Sequence, residues 1–225
     1  MNLADLDAAR RAALLAGAKR VVLARGQSAY LPGDRADRVF FVLTGRVKVV
    51  RTNASGAEAI VGIRTAGDAF GELTGVDEGV RVTSAVAIEA VEADAISAAA
   101  FAAALGRDAA IARAFARGVA RRLAAAEHEL AELMGKSVPG RLVDALGRLA
   151  AEHGVPEPGG AVRIGMNLTH KDLADLIGTS RETLTKELNV LADVGLLRVA
   201  HKTVTLVQPR AFPFARRPAD AQDQP

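Results

Sequence analysis

Charged and apolar side chains at helical spacing fill the stretch from Leu168 to Leu197, in two segments joined by a glycine. In the second segment Arg181, Glu182 and Lys186 share one helix face, and leucines occupy the opposite face. In the DNA major groove an arginine pairs with the two acceptors of guanine, and a glutamate accepts from the cytosine amino group. The pattern therefore favours a helix that reads base edges. The alternative is an ordinary surface helix pair with a solvated charged face.

Capping signals define the two helices. Thr169 followed by Asp172 is typical of a helix start, and Gly178 can end that helix with a left-handed turn. Thr179 or Ser180 is expected to cap the second helix, with Glu182 completing a capping box. Side chains and helix N-termini at such ends contact phosphates. The residues expected to lie on the DNA backbone are Thr169, His170, Ser180, Thr183 and Lys202.

The residues after the helix pair predict a β-hairpin, because Leu197–Ala200 and Val204–Val207 flank a polar turn. This arrangement would be the winged form of a helix-turn-helix, with Lys202 at the tip. Ser180-Arg181-Glu182-Thr183, Lys186, the Gly-Leu-Leu and the His-Lys-Thr hairpin together resemble the winged helix-turn-helix of the cyclic-AMP receptor / fumarate-nitrate-reductase regulator (CRP/FNR) superfamily. The resemblance implies a recognition helix in the major groove of double-stranded DNA. It also implies a palindromic site with half-sites about 34 Å apart.

Composition restricts the remaining classes of protein. The 225 residues suffice for two domains, and the chain has no apolar run of membrane-spanning length and no signal-peptide pattern, so a cytoplasmic location and no membrane partner are expected. The absence of cysteine excludes disulfides, cysteine-bound zinc and iron–sulfur clusters. The four histidines are scattered, so neither another metal nor haem is expected. A net charge of +3 is too small to indicate a nucleic-acid partner by itself.

The first half of the chain changes character at Val21. Residues 1–20 predict a short helix, and residues 21–107 have period-two apolar runs broken by glycines, which predict a small all-β domain of sandwich or barrel type. Two stretches, Leu31–Val49 and Ala66–Leu73, are similar to the cyclic-nucleotide-binding domain of the CRP/FNR family, the second to its phosphate-binding cassette. The resemblance implies an α+β protein with an N-terminal jelly-roll β-domain.

The resemblance also places a cyclic nucleotide at Gly71, Glu72 and Arg81. A glycine lets the backbone approach a phosphate, an arginine pairs with it, and a carboxylate accepts from a ribose hydroxyl. Val82 departs from the serine or threonine common in the family, and Ala126 and Glu127 stand where the family has a small polar pair. Cyclic AMP or a similar nucleotide is expected; the alternatives are no effector, another ligand, or a buried ion pair inherited with the fold. The expected effector residues are Gly71, Glu72, Leu73, Arg81, Val82, Thr83, Ser84, Ala126 and Glu127.

A long helix is predicted from Asp108 to about Met134, and its apolar residues alternate by four and three as in a coiled-coil seam. The alternative is a helix packed on its own β-domain. A regulator that reads a two-fold symmetric site needs a dimer, so the seam is expected to join two copies. Residues 108–136 are thus assigned to the dimerisation helix and hinge, 137–209 to the DNA-binding domain and 210–225 to a disordered tail. The predicted seam residues are Val119, Leu123, Ala126, Leu130 and Leu133.

These patterns predict a homodimeric, sequence-specific transcription regulator that is not an enzyme and that would also meet RNA polymerase. Jelly rolls host metal-dependent enzymes as well, but those need clustered histidine and carboxylate ligands, and residues 21–107 contain no histidine. A third class, a nucleotide-sensing regulatory subunit that binds a protein partner, predicts no salt-sensitive affinity for DNA.

Overall fold

The computed structural model describes residues 1–54, 56–75, 79–200 and 203–214. It divides into two compact units, Met1–His128 and Glu129–Pro225. The boundary falls inside the long helix, within residues 108–136, which were predicted to form the dimerisation helix and hinge.

The first unit is built on two four-stranded antiparallel sheets, as predicted for a β-domain. Their strand orders are β1-β8-β3-β6 and β2-β7-β4-β5. The strands are β1 (Lys19–Leu23), β2 (Ser28–Tyr30), β3 (Arg38–Thr44), β4 (Val47–Thr52), β5 (Glu58–Arg64), β6 (Ala69–Phe70), β7 (Ser84–Ala87) and β8 (Val91–Ser97).

The apolar run in β3 is continuous because both of its faces are buried. Phe40 and Val42 pack between the two sheets, in one core with Val47 of the opposite sheet. Val39 and Phe41 point the other way, into a second core shared with helices. A glycine forms the turn after β3, where it breaks the apolar run: Gly45 has φ +78°, and a Cβ there would lie 2.2 Å from the Ala90 carbonyl oxygen.

Helices cover the outer face of that sheet. The second core contains Leu14, Phe101 and Ile111, one from each of α1, α3 and α4. Helix α3, which the sequence assignment of residues 21–107 to a β-domain missed, is capped by Ser97, whose hydroxyl accepts from the Ala100 N–H at 3.1 Å. The helices are α1 (Ala8–Leu14), α2 (Glu72–Gly75), α3 (Ala98–Arg107) and α4 (Ala109–Gly135), preceded by a 3₁₀ turn at Leu3–Asp5.

The second unit combines three helices with a four-stranded antiparallel sheet of order β11-β12-β10-β9. The predicted hairpin is present as β11 and β12. The fully buried leucines of the second unit include Leu142, Leu146, Leu184, Leu188 and Leu206. The elements are α5 (Val138–His153), β9 (Gly154–Pro156), β10 (Val162–Ile164), α6 (His170–Ile177), α7 (Arg181–Asp193), β11 (Leu197–Ala200) and β12 (Thr203–Leu206).

The segment after β12 differs from the predicted disordered tail. A 3₁₀ turn at Pro209–Ala211 is followed by Phe212, which is 3 % exposed. The close approach of Pro213 to Gly147 of α5 packs this segment on the helix. Burial of an aromatic ring therefore orders residues 210–214; the predicted tail from 215 lies outside the described residues. Within the described part of the chain, no helix carries an apolar stretch long enough to cross a membrane.

Candidate nucleic-acid interface and effector cluster

Helices α6 and α7 form the predicted helix-turn-helix. The Thr169 hydroxyl accepts from the Asp172 N–H, and the Asp172 carboxylate accepts from the Thr169 N–H at 2.9 Å, so the predicted capping box is present. Gly178 ends α6 with φ +67°, as the left-handed turn requires. Leu173 and Ile177 are buried on the inner face of α6. The left-handed turn at Gly178 ends α6 and leaves only Thr179 and Ser180 before α7 begins at Arg181.

The predicted capping box on α7 is wrong. Ser180, not Thr179, is the cap, and its Oγ accepts from the Thr183 N–H at 3.1 Å. Glu182 is then the second helical residue, one position short of the third, which a capping box requires. Glu182 is exposed instead, as is Lys186, on the face opposite the fully buried leucines of α7, and Arg181 is exposed as the first residue of the helix.

A groove of about 450 Å³ runs along the N-terminal ends of the two helices, lined by Thr169, His170, Lys171 and Arg181. Two of these side chains are cations and none is acidic, so the groove suits a phosphate. His170 Nδ1 lies 3.0 Å from the Thr185 Oγ1, which in turn lies 2.8 Å from the Arg181 carbonyl oxygen. Because the hydroxyl donates to that carbonyl, it is free to accept from the ring, so His170 Nδ1 can act as the donor. Lys202, the predicted wing contact, lies outside the described residues.

Two predicted effector residues, Glu72 and Arg81, are almost fully buried, at 1 % and 2 % exposure, but they do not pair with each other. The Arg81 guanidinium donates to the carbonyl oxygens of Gly71 and Arg38 and to the Thr74 hydroxyl, and lies 4.3 Å from the centre of the Tyr30 ring. Burial lowers the pKa of Arg81. Its hydrogen-bonding groups are therefore largely committed within the β-domain.

Glu72 pairs with Arg122 of α4 instead, as an ion pair and not through an aligned hydrogen bond. The sequence interpretation missed Arg122, although it lies four residues before Ala126 and hence on the same helix face. Gly71 has φ +75°, and a Cβ there would lie 2.9 Å from Arg81 Nη1, so a glycine is required.

The other predicted effector residues are less enclosed. Ala126 and Glu127 are exposed on α4, and nothing in their burial separates them from the surrounding surface. Leu73 and Val82 are exposed, and Thr83 and Ser84 are half-buried. Over the ranges that the structure describes, no group of three histidine or acidic side chains could hold a metal ion.

Helix α4 changes its surroundings along its length. Ile111, Ala114 and Gly118 are buried in the first unit, whereas Leu123 and Leu130 are each 59 % exposed. The first turns therefore pack on the β-domain, as one of the two alternatives predicted, and the seam between two copies stays a prediction for the later turns, whose leucines are exposed. Of the other predicted seam residues, Val119 is half-buried, and Ala126 and Leu133 are exposed.

Comparison with known proteins resolves the class. A model of the cyclic nucleotide-binding domain matches residues 20–108, and one of the Crp-like helix-turn-helix domain matches residues 140–212. The chain belongs to the CRP/FNR family of transcription regulators. It is 35 % identical over 195 residues, 87 % of each chain, to the CRP-like cAMP-activated global transcriptional regulator of Mycobacterium tuberculosis. It is 32 % identical to the cyclic AMP receptor protein of Thermus thermophilus, over 83 % of this chain and 82 % of that protein.

The fold is also similar to a solved CRP/FNR-type structure. The c-di-GMP responsive global regulator CLP of Xanthomonas campestris matches with a TM-score of 0.78 at 25 % identity, covering 89 % of this chain and 99 % of that one. Membership of the family confirms the predicted α+β class, the DNA-binding helix-turn-helix and the assignment to regulators and not enzymes. The roles of individual side chains stay predictions.

Proposed function

We propose that this CRP/FNR-family chain acts as a homodimer that binds a palindromic DNA site in response to cyclic AMP or a similar nucleotide. The observation that carries the proposal is the recognition helix α7. Leu184 and Leu188 anchor it at 0 % exposure, and its exposed face carries Arg181, Glu182 and Lys186. A rigidly packed helix with bidentate and acceptor groups on its free face is what base reading in the major groove requires.

Backbone contacts would come from the ends of the same two helices. Thr169, His170, Ser180 and Thr183 lie at the starts of α6 and α7, where free N–H groups and the helix dipole favour a phosphate. Lys202 would add a contact from the wing. These contacts set the register of the protein on the duplex and leave specificity to the base-reading residues.

Dimerisation would use the later turns of α4. Leu123, Leu130 and Leu133 are 59 %, 59 % and 48 % exposed, and Met134 is 83 % exposed. Large apolar side chains repeated along one helix are typical of a partner surface. Val119 and Ala126 would extend the seam toward the β-domain. Two recognition helices related by a two-fold axis would then face half-sites about 34 Å apart. The further partner in such a cytoplasmic regulator would be RNA polymerase.

The chemistry of the buried effector cluster fits a nucleotide. Gly71 leaves its backbone open, Glu72 supplies a carboxylate for a ribose hydroxyl, and Arg81 and Arg122 supply positive charge for a phosphate. Leu73, Val82, Thr83, Ser84, Ala126 and Glu127 would surround the rest of the ligand. Two similar proteins carry cyclic AMP in their names and a third carries c-di-GMP, which supports a nucleotide and leaves its identity to experiment.

The DNA-reading role is tested with the Arg181→Ala variant and sequences selected from a random duplex pool. Loss of a bidentate contact should cost about 1–3 kcal/mol and relax the choice of base at one position. Arg11→Ala, at an exposed position in α1, is the matched control and should bind as the wild type does. Equal weakening for every sequence would remove Arg181 from base reading.

Titration at two salt concentrations separates a DNA regulator from a subunit that binds only proteins. A chain that contacts several phosphates should lose affinity on the order of a thousandfold over a fourfold rise in salt. Salt-independent, weak binding would contradict the proposal.

The effector is tested by calorimetric titration with cyclic AMP on the wild type and on Glu72→Gln. The variant keeps the volume and removes the charge that pairs with Arg122, so nucleotide affinity should fall by about tenfold or more. A wild type that gives neither heat nor a thermal shift would eliminate cyclic AMP.

A further inference from the structure

A cavity of about 120 Å³ lies between the β-domain and the first part of α4, within the first unit. It is separate from the Arg81 guanidinium, which does not line it. Three arginine side chains, one aspartate side chain and the α-amino group of Met1 contribute charge to its walls. The lining residues are Met1, Asn2, Arg64, Asp68, Ala69, Gly118, Arg121 and Arg122.

Arg64 is the least compensated of these charges. It makes no ion pair with any described residue, and its one hydrogen bond is from Nη1 to the Ile63 carbonyl oxygen at 3.1 Å. Its Nε–H is buried and has no acceptor among the described residues. Burial and the positive charge of Arg122 lower the pKa of Arg64, against the opposing effect of the Glu72 and Asp68 carboxylates. Arg64 is half-buried overall, but a cationic group whose N–H is buried without an acceptor is costly, so the position favours an anion.

Arg122 carries a second free donor toward the same space. Its Nη1 pairs with Glu72 and its Nε–H donates to the Gly118 carbonyl oxygen at 3.3 Å, whereas Nη2 is buried without an acceptor in the described chain. Asp68 does not supply that acceptor; its carboxylate accepts instead from the Thr65 N–H at 3.0 Å and the Asn2 amide at 2.9 Å. Arg121 pairs with Asp5. Arg64 and Arg122 are thus the lining arginines whose buried N–H groups have no acceptor in the described chain.

The size of the cavity limits what it can hold. A volume of about 120 Å³ corresponds to roughly four water molecules at about 30 Å³ each, below the 300–1,000 Å³ typical of sites that enclose a whole organic ligand. A phosphate, a sulfate or a carboxylate group fits this space. Such oxyanions accept several hydrogen bonds from guanidinium groups in planar, often bidentate geometry.

We propose that this cavity is an oxyanion site, with Arg64 and Arg122 as its ligands, distinct from the Arg81 position. The oxyanion is either free inorganic phosphate or the acidic group of the nucleotide invoked in the proposed function. The first case is independent of that function and the second rests on it. In both cases Arg64 and Arg122 bind the oxyanion, and Asp68 holds Asn2 in the cavity wall by accepting its hydrogen bond.

The experiment measures thermal unfolding of the full chain with increasing inorganic phosphate, against chloride at matched ionic strength. The variants are Arg64→Met, which removes the charge and keeps an unbranched side chain, and Arg20→Met. Arg20 is an exposed residue of β1 that pairs with Glu92 and Asp94 and does not line the cavity. Phosphate should raise the melting temperature of the wild type and of Arg20→Met, and its apparent affinity should fall on the order of tenfold or more in Arg64→Met.

The ligand-free melting temperature is the check on folding. Because an uncompensated buried charge is removed, Arg64→Met should melt at or above the wild-type temperature without phosphate. A lower melting temperature for this variant would contradict the uncompensated charge and overturn the proposal. An equal rise in melting temperature for all three proteins would mean that phosphate stabilises them as a general salt. No rise for the wild type would mean that the cavity holds water and not an oxyanion. Either result would overturn the site.

A calorimetric arm with cyclic AMP identifies the source of the oxyanion. If Arg64→Met loses both phosphate and cyclic AMP binding, the site holds the phosphate of the nucleotide. If it loses only phosphate binding, the site takes a free oxyanion beside the nucleotide. A wild type that binds phosphate but not cyclic AMP would contradict the proposed effector and would still support the oxyanion site.

Discussion

Replacing Gly147 by alanine tests whether residues 209–214 belong to the folded DNA-binding unit. A Cβ at Gly147 would lie 1.8 Å from the Pro213 carbonyl oxygen and 3.0 Å from the Pro213 carbonyl carbon. The neighbour is backbone, so no rotation of a side chain relieves the overlap. The segment that carries Phe212 would have to move away from α5.

The expected cost follows from what that movement exposes. Phe212 is 3 % exposed, and burial of a large apolar side chain contributes about 1.5–3 kcal/mol. Alanine in a helix interior stabilises the folded state by roughly 0.5–1 kcal/mol relative to glycine, which offsets part of that loss. The variant should therefore lose about 1–2 kcal/mol. Gly140 lies in the same helix, and a Cβ there would meet its nearest neighbour, Ser137 Oγ, at 3.6 Å, an ordinary contact. Gly140→Ala should gain roughly 0.5–1 kcal/mol.

Urea unfolding followed by circular dichroism measures both variants against the wild type. The two alanines should shift the midpoint in opposite directions, with similar slopes, because the surface exposed on unfolding hardly changes. Equal stabilisation by Gly147→Ala and Gly140→Ala would refute the packing of the C-terminal segment on α5.

Three further substitutions test separate contacts. His170→Ala removes one of the side chains that line the groove at the starts of α6 and α7, so affinity for DNA should weaken by a similar factor for every sequence. Weakening confined to one base position would exclude a His170–phosphate contact. Gly118→Ala places a Cβ 2.3 Å from the Met1 backbone nitrogen, whereas the Cβ of the control variant Gly106→Ala has no neighbour within 4 Å. The clash should displace the N-terminal segment, in which the Leu3 N–H donates to the Gly67 carbonyl oxygen. Hydrogen exchange at Leu3 should therefore accelerate in Gly118→Ala and not in Gly106→Ala. The Ala110 N–H lowers the pKa of Asp108 below 3.8, so this carboxylate stabilises the fold above about pH 4, and that contribution is lost as pH falls through the folded pKa. Asp108→Asn should then be less stable than the wild type at pH 7 and equal to it near pH 2, and a constant gap would contradict the assignment.

The helix-turn-helix was predictable because its signals are local. The Thr169–Asp172 box and Gly178 act within one helical turn, and the buried leucines of α7 recur at helical spacing. The error of one residue at the next cap has a local cause as well. Thr179 and Ser180 are adjacent hydroxyl residues, and only the backbone geometry shows that Ser180 is extended and accepts from Thr183.

Other features depend on contacts that no local pattern reports. Glu72 and Arg122 are fifty positions apart in the chain, and their pairing needs α4 to fold against the β-domain. Helix α3 was missed because it follows β8 directly, with no glycine or proline to mark the boundary, and its main specific signal is the Ser97 cap. Phe212 lies among prolines that favour an irregular chain, and its burial depends on the groove beside Gly147.

Helix α4 carries two of the proposed functions on adjacent residues. Arg122 is held by Glu72, and Leu123, about 100° further round the helix, is exposed on the proposed seam. A ligand that takes either partner of the Glu72–Arg122 pair changes what holds the helix at that turn. Such a change would reach Leu123, the next residue of the helix and part of the same unit. A nucleotide would then shift the balance between two arrangements of the dimer only by its difference in affinity for them, and DNA would tighten nucleotide binding by the same factor.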